Sequence, residues 1–128
     1  MSRLVRPITE YCSRVFASLP EGSRSVTPAP TVKTGTTYTL TLADNNRLLD
    51  HANASAITVT VPTNASVAFP LGSRIEIAQT GAGQISVSGA GVTLRLPAGK
   101  TAKTRVQYSV ISVTKRGADE WILSSDLA

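Results

Sequence analysis

Residues 56–89 decide the fold, and they read AITVTVPTNASVAFPLGSRIEIAQTGAGQISVSG. Three runs in this stretch alternate apolar and polar side chains with the period of two that is typical of a half-buried β-strand. The first two runs point Ile57, Val59 and Val61, then Ile75 and Ile77, to one side, and QISVS continues the pattern. Proline and glycine motifs separate the runs and are typical of turns and strand ends. The stretch therefore predicts short strands joined by tight turns.

The same pattern continues on both sides of this stretch. TTYTLTL (residues 36–42) places Tyr38, Leu40 and Leu42 on one face, and VQYSVISVTKRGADEWILSS (residues 106–125) predicts a final hairpin. A phase slip between Val110 and Ile111 predicts a β-bulge. About eight strands at regular spacing predict an all-β body over residues 34–128. We expect short antiparallel strands in a sandwich or barrel, jelly-roll or tulip-like.

Residues 1–33 have a different character and predict an extended basic arm. They carry a net charge of +3 out of the total of +5. Thr9 is a suitable N-cap, and apolar residues recur at helical spacing up to Leu19, so one short helix is expected. A helix this short is marginal alone in water and needs a surface to dock on. A proline-rich linker follows it.

Composition and residue counts argue against an enzyme. Cys12 is the only cysteine, which excludes an intramolecular disulfide and a cysteine-based zinc cluster. His51 is the only histidine, and it points away from its neighbour Asp50 on a strand. The nucleophile, base and orienting residue of a catalytic site cannot all be supplied. We therefore predict no catalytic residues, no metal and no cofactor.

Other motifs have structural interpretations. The glycine segments TGAGQ and SGAGV are flanked by strands, so they predict hairpin turns rather than phosphate loops. The Asn-Ala-Ser motifs at Asn53 and Asn64 are typical turn sequences. No apolar run is long enough to span a membrane, and the N-terminus does not resemble a signal peptide. There is no dense run of Lys and Arg, so contact with nucleic acid is not required.

Residues 36–127 resemble a β-module that recurs in structural proteins of tailed-bacteriophage virions. The motifs that carry the resemblance are NASAITVTVP, FPLGSRIEI, GAGQISV and QYSVISVTKRGADEWILSSDL. The resemblance implies a structural protein of the virion, most similar to a small capsid decoration (cement) or head-fibre protein. The strand pattern and the resemblance together mark several residues as fold-determining. These residues are Tyr38, Pro62, Gly72, Gly81, Gly83, Tyr108 and Trp121.

From this resemblance we expect a decoration protein on the outer capsid surface, assembled in the host cytoplasm. Its expected partners are the major capsid protein and itself, as a homotrimer, without a membrane or a cofactor. The arm lies outside the resemblance and is the expected capsid-binding element. Its candidate contact residues are Arg3, Leu4, Val5, Arg6, Tyr11, Arg14, Val15 and Phe16. Two alternatives remain: a tail, fibre or spike component with a receptor-facing β-domain, and a stand-alone carbohydrate-binding module.

Overall fold

The computed structural model describes residues 28–128, in which nine strands and one short 3-10 helix account for the regular structure. The 3-10 helix, Leu42–Asp44, lies between the second and third strands. The strands are β1 (Thr31–Lys33), β2 (Thr37–Thr39), β3 (Leu48–His51), β4 (Ile57–Thr60), β5 (Arg74–Gln79), β6 (Ile85–Ser88), β7 (Thr93–Arg95), β8 (Val110–Gly117) and β9 (Glu120–Ser125). The predicted all-β class is confirmed. No helix within this part of the chain is long and apolar enough to cross a membrane.

The strands form two sheets, and the first seven strands alternate between them along the chain. The larger sheet has the order β1-β3-β5-β8-β9-β7, and the smaller one has the order β2-β4-β6. β1–β3–β5 and β2–β4–β6 pair in parallel throughout. The chain thus winds through three coils, each of which adds one strand to each sheet, as in a β-solenoid. The predicted antiparallel arrangement is wrong for the pairing among these six strands, because neighbours in sequence lie in different sheets.

Among the named strands, antiparallel pairing is confined to β8 and its two neighbours in the larger sheet, β5 and β9. β8 pairs antiparallel with β5 and forms the predicted hairpin with β9. The register shift in this hairpin lies between Lys115 and Gly117. Val110 and Ile111 pair regularly with β5, so the bulge predicted there is wrong. β7 pairs in parallel with β9 and forms one edge of the sheet, while β1 forms the other.

The hydrophobic core lies between the two sheets. The alternating residues predicted to face inward, such as Ile57, Val59 and Ile75, are almost completely buried. Trp121 is also buried, and its ring meets that of Phe69 edge to face at a centroid distance of 5.3 Å. An edge-to-face pair adds stabilisation to the area that the two rings bury. The core therefore joins the solenoid coils to the C-terminal hairpin.

Gly81 and Gly83 do not form a hairpin turn as predicted. They lie in the corner between β5 and β6, stacked against the corner of the preceding coil at Asn53. The Gly83 N–H donates to the Asn53 carbonyl at 2.8 Å, and the Asn53 side-chain amide donates to the Thr34 carbonyl of the first coil. A Cβ on Gly83 would lie 1.8 Å from the carbonyl oxygen of Ser55. These glycines are required because adjacent corners touch.

Three further predictions are affected by the structure. The body begins with β1 at Thr31, so the sheet starts before the predicted boundary at residue 34. Tyr108 was assigned to a strand, but it lies in a loop with φ of 70° and is 73% exposed, so it does not belong to the core. Leu42 is exposed rather than inward-facing. The predicted arm helix lies outside the described residues.

Candidate interaction surfaces

The arm is the site that the sequence predicts, but its contact residues lie outside the described part of the chain. These are Arg3, Leu4, Val5, Arg6, Tyr11, Arg14, Val15 and Phe16. The structure does describe where the body begins. β1 forms an edge of the six-stranded sheet, and its Val32 side chain is 61% exposed. The arm therefore joins the body next to this edge.

The outer face of the small sheet carries two rows of hydroxyl groups. Parallel pairing aligns Thr37, Thr58 and Ser86 in one row. Thr39, Thr60 and Ser88 form the second row, because every inward residue is followed by an outward one. This polar face contains no aromatic side chain. It therefore lacks the flat stacking surface that carbohydrate-binding modules and single-strand binders use.

The outer face of the large sheet is nearly neutralised by ion pairs. Arg74 pairs with Glu76 at 3.2 Å, and Arg95 with Glu120 at 2.7 Å. The hydrogen bond from Arg95 holds the pKa of Glu120 below its ordinary value, with Arg116 adding to the effect. Exposed pairs of this kind contribute little stability. They leave no uncompensated acidic or basic patch on this part of the sheet.

A shallow apolar cleft lies beside the edge strand β7. It has a volume of about 240 Å³ and is lined by Arg95, Leu96, Pro97, Ile122, Leu123 and Ser124. Ile122 is 41% exposed and Leu96 is 36% exposed. Leu123, which also lines the cleft, is fully buried. This combination of an apolar cleft and an edge strand is typical of a surface that another polypeptide covers.

The loop before β8 presents the exposed ring of Tyr108. The loop is held by an ion pair between Arg105 and Asp126, with N–O distances of 2.7 and 3.1 Å, and by a hydrogen bond from Ser109 to Asp126. The bond from Arg105 is the main cause that lowers the pKa of Asp126. Tyr108 is the only strongly exposed aromatic residue among those described, so it presents one ring and no extended platform.

His51 occupies an unusual position in the interior. It is completely buried, and neither of its ring nitrogens has a hydrogen-bond partner among the described residues. The parallel register places it between Lys33 of the first coil and Gln79 of the third. The ring of Tyr38 lies 5.9 Å away in a tilted arrangement. The sequence marks His51 only as a lone histidine, whereas its isolation depends on how the coils stack.

Lys115 is the other buried basic residue in the part of the chain that the structure describes, and its contacts are structural. Its ammonium group donates to the Asn64 side-chain oxygen at 2.6 Å and to the Phe69 carbonyl at 2.7 Å. Asn64 also donates its backbone N–H to Asp119. These bonds attach the loop between β4 and β5 to the C-terminal hairpin. No group of three or more metal-ligating side chains lies together within residues 28–128.

Comparison of this chain with protein-family models and with curated proteins found no match. The proposal below therefore rests on the sequence pattern, on the surfaces described above and on the resemblance of residues 36–127 to a β-module of tailed-bacteriophage structural proteins. The sequence analysis did not predict the cleft. The run Trp121-Ile122-Leu123 could have indicated an exposed apolar residue, because three consecutive apolar residues cannot all face the same side of a strand.

Proposed function

We propose that this chain is a phage capsid decoration protein that trimerises and binds the major capsid protein through its N-terminal arm, stabilising the head. The observation that carries the proposal is the difference in charge and composition between the N-terminal segment and the body. The body, residues 34–128, carries a net charge of only +2 and forms ion pairs at Arg74 and Arg95, whereas the segment before it carries +3 and contains its own apolar residues. The resemblance to phage virion modules supports a structural role on the outer capsid surface.

The arm has the chemistry and the reach for this role. Residues 1–27, fully extended, span about 90 Å, which is longer than a domain of this size. Arg3, Arg6 and Arg14 suit carboxylates on a shell protein, because guanidinium groups bind them bidentately. Leu4, Val5, Tyr11, Val15 and Phe16 supply apolar contacts. Ordering such a segment costs about 1–2 kcal/mol per residue, so binding requires many contacts repeated across the shell.

We assign the apolar cleft beside β7 to contact between copies of the body. Its exposed residues, Leu96 and Ile122, are too few to bind a flexible ligand tightly, but they suit a rigid neighbour. β1 and β7 lie at opposite edges of the same sheet, so a head-to-tail contact between two copies uses two different surfaces. Heterologous contacts of this kind close into rings when the rotation permits, and a trimer is such a ring.

Deletion of residues 2–27 tests the arm. We expect the truncated protein to fold, because β1 and the complete core remain, and to lose binding to capsid shells stripped of the native protein. Co-sedimentation with purified shells and a count of copies per particle measure this loss. A decoration role predicts a copy number that scales with the number of shell subunits, whereas a fibre or spike predicts few copies.

Charge reversal in the arm provides a second test, and the same change in the body provides its matched control. Arg3→Glu with Arg6→Glu should weaken shell binding strongly, with a steep dependence on salt, because exposed charges are screened. Lys100→Glu with Lys103→Glu makes the same change in charge on exposed residues of the body and should leave binding nearly unchanged. Normal binding by the truncated protein, or an equal loss in both double variants, would rule out the arm as the anchor.

Substitutions in the cleft test whether it forms the contact between copies of the body. Leu96→Asp with Ile122→Asp should convert the trimer to a monomer in analytical ultracentrifugation, because burying two carboxylates at an interface is unfavourable. Leu42→Asp with Leu71→Asp changes two apolar residues that are more exposed and lie outside the cleft, at 55% and 70% exposure. This control should remain trimeric. A trimer that survives the cleft substitutions would show that the copies meet elsewhere, and a monomeric wild type would refute trimerisation.

A further inference from the structure

The polar side chains of Tyr38, Asp44 and Gln79, which lie around His51, form hydrogen bonds with other partners. The Tyr38 hydroxyl donates to the Asp44 carboxylate at 2.7 Å, and that carboxylate also accepts from the backbone N–H and the hydroxyl of Thr41. The Gln79 side chain donates to the Gly81 carbonyl and accepts from Thr104. None of these groups hydrogen-bonds to His51 in the closed structure. A proton added to this imidazole would therefore be buried without a partner.

The charged side chains near His51 also influence its protonation. Lys33 lies on the inner side of β1, with its ammonium group 4.4 Å from the centre of the Tyr38 ring. Asp44, in the 3-10 helix, and Asp50, on the outer side of β3, act in the opposite direction. Burial is the largest effect and repulsion from Lys33 is the second, so the pKa of His51 lies below its ordinary value of 6.5.

The first coil, β1 with β2, is the element that covers His51. Within the described residues, β1 pairs only with β3, and β2 pairs only with β4. Both strands are only three residues long. Terminal repeats of a solenoid contact a single neighbour and open at lower free energy than the interior. Opening of this coil would bring His51 into contact with water without disrupting the C-terminal hairpin.

We propose that protonation of His51 releases the first coil from the rest of the body at mildly acidic pH. In the closed state His51 is neutral, and in the open state it is hydrated and binds a proton at its ordinary pKa. The open state therefore binds more protons than the closed state below about pH 6.5, so the closed state loses stability as the pH falls. Because the arm joins the body at β1, acid loosens the segment from which the arm extends.

Hydrogen exchange of single amides, followed by NMR on the full chain, tests whether acid releases the first coil. The Ala52 amide donates to the Lys33 carbonyl, and the Thr58 amide donates to the Thr36 carbonyl, so both report on closure of the first coil. The Gln79 and Val87 amides bond to Ser109 and Ala102 and report on the rest of the body. Between about pH 7.5 and pH 5.5, we expect the protection factors of the first two amides to fall by up to about tenfold relative to the other two, because one proton bound at the ordinary pKa of 6.5 shifts the opening equilibrium by no more than that over this range.

His51→Phe is the matched variant, because its ring has a similar shape and cannot be protonated. It should abolish the selective loss of protection, and His51→Gln serves the same purpose if the phenylalanine is not accommodated. Lys33→Met should reduce the loss, since removal of this cation raises the pKa of His51 in the closed state and so brings it closer to that of the open state. Equal loss in the wild type and in the His51 variants would overturn the proposal. Unchanged protection at acidic pH, or loss at all four amides together, would also overturn it.

Discussion

Gly83→Ala is expected to destabilise the body by about 3 kcal/mol or more, which is a large part of the stability of a domain of this size. The added Cβ would lie 1.8 Å from the Ser55 carbonyl oxygen and 2.7 Å from that of Asn53. Both atoms belong to backbone, so the clash cannot be relieved by rotation of a side chain. The corners must separate, which lengthens the 2.8 Å bond from the Gly83 N–H to Asn53. Urea denaturation followed by circular dichroism measures the loss.

The corner of the first coil provides the control. Gly35 is exposed, and a Cβ there would meet only the Thr37 carbonyl oxygen, at an ordinary contact distance of 3.6 Å. Gly35→Ala should therefore change the free energy of unfolding by no more than about 0.5 kcal/mol. Gly81→Ala, with its closest approach at 2.5 Å, should fall between the two. If Gly83→Ala unfolds at the same urea concentration as Gly35→Ala, the corners do not stack as described.

The sequence predicted the position of most strands but not the direction in which they pair. Alternation of apolar and polar residues shows which side chains face the core, and this was correct for Ile57, Val59, Ile75 and Ile77. The same alternation arises in parallel and antiparallel strands that are buried on one face. Glycine corners in a solenoid also have the same local sequence as hairpin turns. The distinction lies in which strands are neighbours, and that depends on contacts between residues distant in sequence.

The candidate surfaces were less predictable than the fold. The arm was identified from its charge and its separation from the β pattern, which are properties of the sequence alone. The cleft depends on Ile122 and Leu96 meeting beside an edge strand, and these residues belong to separate segments of the chain. The sequence predicts no role for His51, because a single histidine beside an aspartate that points the other way cannot supply a metal or catalytic site. The isolation of the His51 ring follows from the stacking of the coils, which places Lys33 and Gln79 on either side of it.

Trp121→Ala is the second large effect that we expect, with a loss of about 3–5 kcal/mol in the free energy of unfolding. The side chain is 1% exposed, and its edge-to-face contact with Phe69 joins β9 to the loop between β4 and β5. Its strand neighbours are Leu94 of β7 and Lys115 of β8. Truncation leaves a cavity bordered by strands that cannot collapse freely, because each is hydrogen-bonded in the sheet. Thermal and urea denaturation followed by far-ultraviolet circular dichroism measure the effect.

Tyr108→Ala is the matched control, because the sequence marked both aromatic residues as fold-determining. Tyr108 is 73% exposed, so its removal should change the free energy of unfolding by no more than about 0.5 kcal/mol. Trp121→Phe retains an aromatic ring against Phe69 and should fall between the two alanine variants. Equal losses in Tyr108→Ala and Trp121→Ala would show that the loop before β8 packs into the core in solution. The contrast thus separates a ring that packs in the core from one that is available to a partner.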